Sequence, residues 1–342
     1  MNLGLETHVV EFAPGLMATQ LDEGGSVMLR RRIEALGVQV HTARNTQSIS
    51  TAGDGSLRME FSDGACLDTD MLVFSAGIRP QDQLARDCDL ILGERGGIVV
   101  DEQCQTSDPH IHAIGECALY RGRIFGLVAP GYRMAETAVA VLTGGTALFT
   151  GADMSTKLKL LGVDVGAIGD AHGRTPDALS FVHSNRRTQT YMRLVTSGDG
   201  KVLLGAVLVG DCADYQSLLQ YYLNGIELPG VPESLMLGES QASAQAVAAS
   251  LPATATVCSC HKVSKEEIVT AIRAGCRSRD GIGVATKAST GCGSCGDLVQ
   301  HIIDGELGGN GGSEASLQVF DPSVPVTAKA NTTATLRKVV GG

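Results

Sequence analysis

Short apolar runs alternate with amphipathic stretches over the first 150 residues. The segment THVVEF at 7–12 reads as a buried strand closing on an acid, Glu11. From about Leu21 to Leu36 the residues Met28, Leu29, Ile33 and Leu36 recur at helical spacing, and Gly37 supplies the stop. Val38–His41 is the next expected strand. The stretch 50–80 then predicts a meander with D-G turns at Asp54-Gly55 and Asp63-Gly64, ending in a buried strand, Met71–Ser75, and the loop SAGIRP. Residues 98–116 predict two strands around a turn, and Tyr132 to Leu142 a helix. Strand and helix alternation of this kind is α/β.

The texture changes at Leu158. LKLLGVDVGAIGD, LSFVHSN, TYMRLVTS and KVLLGAVLVGD are four strand-like runs, the last two joined by the S-G-D-G turn at 197–200. A helix over about Ala213–Leu223 completes a small α+β domain. Residues 229–256, rich in Ala, Ser, Pro and Gly, read as a linker, and the Gly/Ser/Thr-rich stretch at 307–342 as a disordered tail. VSKEEIVTAIRAGC predicts a helix with Ser264 as N-cap and Glu267 closing a capping box. A second helix is expected directly after Cys295, with Leu298, Val299, Ile302 and Ile303 on its inner face.

Composition narrows the function classes. The 342 residues are 43% hydrophobic and 19% charged, which is globular and long enough for two or three cores. A net charge of −10 with no basic run argues against nucleic acid and an anionic membrane surface as partners. No apolar run reaches the roughly 20 residues of a membrane span, and the first residues lack a signal-peptide pattern. The expectation is a cytoplasmic protein.

Ten cysteines are present. Cys258 and Cys260 form a C-x-C pair, and Cys292 and Cys295 a C-x-x-C pair in TGCGSCG. Four thiolates suit either tetrahedral zinc or an iron–sulfur cluster. Small residues around the second pair let backbone N–H groups approach, and a helix N-terminus after Cys295 would face the site with positive polarity. Cys276 reads as a small apolar packing residue. His172, His261 and His301 read as ordinary turn or surface histidines.

The C-x-C…TGCGSC segment resembles the small [2Fe–2S] module named after bacterioferritin-associated ferredoxin. That resemblance implies a [2Fe–2S] cluster on Cys258, Cys260, Cys292 and Cys295. QTSDPHIHAIGECA resembles the second flavin motif of two-dinucleotide-domain reductases, where Gly115 and Glu116 would approach FAD, with Glu where Asp is familiar. SAGIRP, with Gly77, resembles the loop closing the NAD domain. Glu11 takes the place of the acid that receives the adenosine ribose, which leans towards NADH over NADPH.

VVEFAPGLMATQLDEGG, RGRIFGLVAPGY and STKLKLLGVDVGAIGDAHGRTP resemble the large subunits of bacterial NAD(P)H-dependent assimilatory nitrite reductases over residues 1 to about 305. The resemblance implies a flow from NAD(P)H through FAD and [2Fe–2S] to sirohaem and a [4Fe–4S] cluster, with nitrite reduced to ammonium. The expected layout is a partial NAD(P)-binding region at 1–80, a returning FAD segment at 81–150, the α+β domain at 151–228, the linker and the [2Fe–2S] module at 257–306. The glycine loops and the sirohaem ligands have no counterpart here. The expectation is therefore an internal piece, inactive alone, which works with the missing reductase and sirohaem regions or a small nitrite reductase subunit, a homodimer being open. Two alternatives are the electron-transfer subunit of assimilatory nitrate reductase and a non-catalytic iron–sulfur binding module.

Overall fold

The computed structural model describes residues 4–160, 162–228, 230–237, 244–291 and 293–308. Strand β1 (Thr7–Val10) pairs in parallel with β2 (Val38–His41), and helix α1 (Glu23–Ala35) crosses between them. Asp22 caps α1 through Gly25 N–H at 3.1 Å, and Gly37 takes a positive φ of 88° just past its end. Strands β3 (Thr46–Thr51), β4 (Leu57–Phe61) and β5 (Cys66–Thr69) form the expected antiparallel meander.

The buried strand expected at Met71–Ser75 does not form. Residues 71–80 are irregular, with Met71, Val73 and Phe74 at 69%, 78% and 73% exposure. The β1–β2 sheet has two strands and offers this apolar run no ladder partner among the described residues.

After a short helix, α2 (Gln83–Asp87), comes a third small sheet: β6 (Ile98–Val100) parallel to β7 (Ala118–Tyr120), which pairs with β8 (Arg123–Ile124). The expected second strand before residue 116 is instead a loop with one Gln105–His112 bridge, ending in a 3₁₀ turn at Gly115–Cys117. Helix α3 (Val128–Leu142) starts four residues earlier than its apolar spacing implies. Phe125 and Tyr120 pack edge-on against Phe149, with ring centroids 5.4 and 5.1 Å apart.

The α+β domain has five strands rather than four. LKLLGVDVGAIGD folds back on itself as β9 (Thr156–Leu160) and β10 (Val163–Gly169). With β11 (Leu179–Asn185), β12 (Thr190–Thr196) and β13 (Leu203–Val209) they form an antiparallel sheet of order β11-β12-β13-β10-β9. Alternate residues bury on opposite faces. Val163, Val165, Val207 and Val209 meet Met28, Leu29 and Ile33 of α1. Ile168, Leu194, Ala206 and Leu208 meet α4 (Tyr215–Asn224) through Leu218 and Leu219.

The span expected to be a linker contains α5 (Pro232–Met236) and α6 (Ala244–Ser250). Val247, Ala248, Leu251 and Ala255 are 1–3% exposed, and the last three join the core of the cysteine module. Alanine supplies little apolar signal in sequence, yet it lets α6 sit close against its neighbours. That module comprises β14 (Thr256–Cys258), β15 (Val263–Ser264), α7 (Lys265–Arg273), α8 (Arg279–Thr286) and α9 (Gly296–Gly308). Both halves of the Ser264–Glu267 capping box are present. The tail expected to be disordered lies, from residue 309, outside the described residues.

Candidate functional site

The cysteine module brings two loops together. Cys258 ends β14, Cys260 lies in the turn leading to β15, and Cys295 immediately precedes α9. Cys258 and Cys295 are buried, and Cys260 is half-buried against the same core. A hydrogen bond from the Cys295 thiol, then the N–H groups of His261 and Ser289, hold the Cys258 thiol well below the ordinary thiol range, against burial, which raises it. Thiolate stabilised by backbone amides is the state that binds metal.

Gly291 sets how closely the loops approach. A Cβ on it would lie 3.1 Å from His261 Nε2 and 3.3 Å from Cys260 Cβ. Arg279 packs over Gly296, where a Cβ would collide with the guanidinium, and its Nη1 lies 3.6 Å from Asp297. The N-terminal turn of α9 directs positive polarity towards Cys295, while the charge of Arg279 is offset by Asp297. Such a donor set fits an anionic iron–sulfur group: sulfur ligands, nearby amides and a favourable field. Cys292 lies outside the described residues. Among the described residues no three His, Cys, Asp or Glu side chains gather closely enough to hold a metal ion. Cys276 falls beyond α7, half-buried against the module core, in keeping with a packing role.

A second group of site residues gathers on the β6–β8 unit. Gly115 and Gly77 have φ of 77° and 80°, in the left-handed region where glycine is favoured. Gly115 N–H points at Met134 Sδ, 3.4 Å away on α3. A Cβ on Gly126 would lie 3.8 Å from Ile78 Cδ1 and 3.9 Å from Glu116 Oε1, and one on Gly131 would lie 3.8 Å from Gly115 Cα. The SAGIRP loop, the Gly115–Glu116 turn and the start of α3 therefore share one glycine-lined surface.

Glu11 belongs to a different sheet, at the C-terminal edge of the parallel β1–β2 pair, where α/β folds take ligands. Its Oε1 accepts the Ala13 N–H at 2.8 Å, and its backbone bridges to His41 and Arg44. His172 Nε2 lies 3.0 Å from the Thr19 carbonyl, a structural contact. Arg279 and Ser289 are the site neighbours that sequence spacing alone did not single out; each becomes visible only when α8 folds beside the cysteine loops.

Three family models match the chain: pyridine nucleotide-disulphide oxidoreductase over 1–144, the Rubredoxin NAD+ reductase C-terminal domain over 155–226, and the BFD-like [2Fe-2S] binding domain over 256–305. The nitrite reductase (NADH) large subunit of Escherichia coli is 53% identical over 91% of this chain and 37% of its own length. The assimilatory nitrate reductase electron transfer subunit of Bacillus subtilis is 29% identical over 88% of this chain and 38% of its own. Among solved structures, a FAD-dependent pyridine nucleotide-disulphide oxidoreductase from Desulfovibrio vulgaris is 25% identical, with a TM-score of 0.50, covering 88% of this chain and 66% of that one. The chain spans about a third of the length of the curated nitrite reductase relatives. Over about nine-tenths of its own length it is similar to the nitrite reductase large subunits of Escherichia coli and Klebsiella oxytoca. Among the described residues no helix is long and apolar enough to cross a membrane.

Proposed function

We propose that this chain is the electron-delivering segment of a nitrite-reducing NAD(P)H oxidoreductase. Its cysteine module would hold a [2Fe–2S] cluster on Cys258, Cys260, Cys292 and Cys295. The thiol hydrogen bond between Cys295 and Cys258 at the start of α9, with Cys260 packed against the same core, carries the reading. When bound, the cluster supplies one-electron transfer between a two-electron donor and a one-electron acceptor. The residues of the chain hold and tune it. His261 and Ser289 N–H groups would offset sulfur charge, the α9 N-terminus would favour the reduced, more anionic state, Arg279 with its Asp297 partner would cover Gly296, and the buried wall of Val257, Ile282 and Val299 would limit water.

On the β6–β8 unit, Gly115 and Gly131 leave room for the flavin chain of FAD, and Glu116 is exposed beside them to accept a hydroxyl. Glu11 Oε2 would receive an adenosine ribose of NADH or NADPH. The acceptor we assign is a sirohaem- and [4Fe–4S]-containing nitrite site, in the same or a partner polypeptide. The 53% identity to a nitrite reductase, against 29% to the nitrate reductase subunit, favours nitrite as the final acceptor.

The test is anaerobic purification followed by iron, sulfide and zinc analysis and electron paramagnetic resonance after dithionite reduction. Two irons with two sulfides per chain are expected, with a spectrum that disappears in Cys258→Ser, Cys260→Ser, Cys292→Ser and Cys295→Ser and persists in Cys276→Ser. One zinc per chain, with no sulfide, would overturn the assignment.

A further inference from the structure

The cysteine module is attached to the rest of the chain on two unlike sides. One side is buried. Thr256 N–H donates to Asn224 Oδ1 of α4 at 3.0 Å, while Val247 of α6 enters the core beneath α4 and Ile226 touches both cores. The other side is small and polar. The Tyr132 ring on α3 stacks on His261, with centroids 6.1 Å apart and planes at 28°. One turn further along α3, Glu136 pairs with Lys262.

Three features set this second contact apart from chance surface neighbours. His261 and Lys262 directly follow Cys260, so the contact bears on the cysteine loop itself. Lys262 has φ of 51°, a conformation that costs a non-glycine residue energy, yet the position carries the long cation that reaches Glu136. Finally, the same helix touches the Gly115–Glu116 turn through Gly131, next to Tyr132. Glu136 lies five positions after Gly131, about 7.5 Å along a helix. A single rigid element thus contacts both the turn and the cysteine loop.

We propose that Tyr132–His261 and Glu136–Lys262 form a latch that seats the cysteine loop on α3 and so fixes its spacing from the Gly115–Glu116 turn. The two pairs are positioning residues. This rests on the reading that the turn faces flavin and the cysteines hold the cluster. The buried attachment to α4 keeps the module on the protein. The latch, with Tyr132 50% exposed and both charged partners open to solvent, is the side able to open and close. Exposed ion pairs of this kind are weak and salt-sensitive, so the contact is poised to exchange rather than locked.

The chain has no tryptophan, so Tyr132→Trp in the full chain installs a single indole in the latch. Quenching of its fluorescence by acrylamide reads how far its face is covered. Glu136→Lys in that background should raise the quenching constant, the ratio of latched to open forms falling about 1.5- to 5-fold. The reversed pair, Glu136→Lys with Lys262→Glu, should restore it, and added salt should raise it in the parent and in the reversed pair alone. Both substitutions are on solvent-facing side chains, so circular dichroism should be unchanged. Equal quenching in all three chains, or a reversed pair that behaves like the single variant, would overturn the latch. The measurement needs no cluster. Metal analysis of the same samples therefore separates a failed latch from a failed cluster assignment.

Discussion

Replacing Asp22 by Ala should unseat α1 from the five-stranded sheet, because one carboxylate serves three partners there. Its Oδ1 accepts the Gly25 N–H at 3.1 Å, while Oδ2 accepts the Tyr191 hydroxyl at 2.6 Å and Arg193 Nη1 at 3.2 Å. Loss of an N-cap costs about 1 kcal/mol. Tyr191 is buried, and leaving its hydroxyl without an acceptor costs about 1–3 kcal/mol. Arg193 and Asp22 are 17% and 14% exposed, so their pair is worth more than a surface bridge, and about 1 kcal/mol is a moderate figure. The three losses share one atom group and are not additive, which puts the net near 3–4 kcal/mol. Asp22→Asn keeps the cap and one acceptor, so it should cost about 1–2 kcal/mol. Urea unfolding followed by circular dichroism reads the difference; with slopes of about 1–3 kcal/mol per molar, Asp22→Ala should unfold at least about 1 M earlier. Tyr191→Phe in the Ala background should recover part of the loss, since the stranded hydroxyl goes with it. An Ala variant within about 0.5 kcal/mol of the parent, or an Asn variant as damaged as Ala, would refute the three-way role.

Leu251→Ala should destabilise the cysteine module by about 2–5 kcal/mol, because Leu251 is 3% exposed in its core; proteolytic release of the 256–308 region reads it, and an unchanged rate would return residues 244–255 to linker status. Ser264→Ala should cost about 1 kcal/mol at neutral pH by removing the α7 cap. Hydrogen bonds from the Ser264 N–H and hydroxyl hold the Glu267 carboxyl below the usual range, so its contribution is present above the unfolded carboxylate value and fades as pH falls through the folded one. The difference between Ser264→Ala and parent should therefore narrow in acid, and a pH-independent difference would contradict the box. Gly205→Ala should destabilise the sheet by more than about 3 kcal/mol, since its Cβ would overlap the Asp170 backbone, which cannot move away cheaply; a soluble variant melting with the parent would show that the strands can part there. Gly291→Val should lower iron retention while leaving the melting of the α+β domain unchanged, because the added bulk falls between His261 and Cys260; full iron content would show that the two loops tolerate separation.

Local signals were legible where one residue type decides a local geometry. Gly37, Ser264 with Glu267, and the D-G turns at 54–55 and 63–64 set their elements from within a few residues, and each is found in place. Misreadings arise where the deciding partner is remote in sequence. Met71–Ser75 has the composition of a buried strand, but a strand needs a neighbour to complete its ladder, and none lies beside it among the described residues. LKLLGVDVGAIGD reads as one run because apolar residues dominate both of its halves; only pairing of the two halves in register, Leu160 opposite Val163, reveals the hairpin. The stretch 229–256 reads as a linker because alanine and serine carry little pattern, although small side chains are what α6 needs to approach α9 and α4.

Legibility of the site divides along the same line. The cysteine spacing is local, so the four proposed ligand positions follow from the sequence, but what surrounds them does not. Arg279 is 13 residues before Cys292, and nothing in its neighbourhood announces that α8 will lay it across Gly296. Tyr132 is further still, on a helix whose sequence argues only for an amphipathic surface, and its value depends on a ring that arrives from residue 261. Ligand types are thus fixed by chemistry that a short motif can carry. Field, solvent exclusion and placement relative to a second site come from tertiary contacts, and these are the properties that decide how readily an electron enters and leaves. In the proposed electron-delivering segment the cysteine motif can therefore stay intact while electron passage is retuned through residues such as Arg279, Tyr132 and Glu136, none of which touches the motif in sequence.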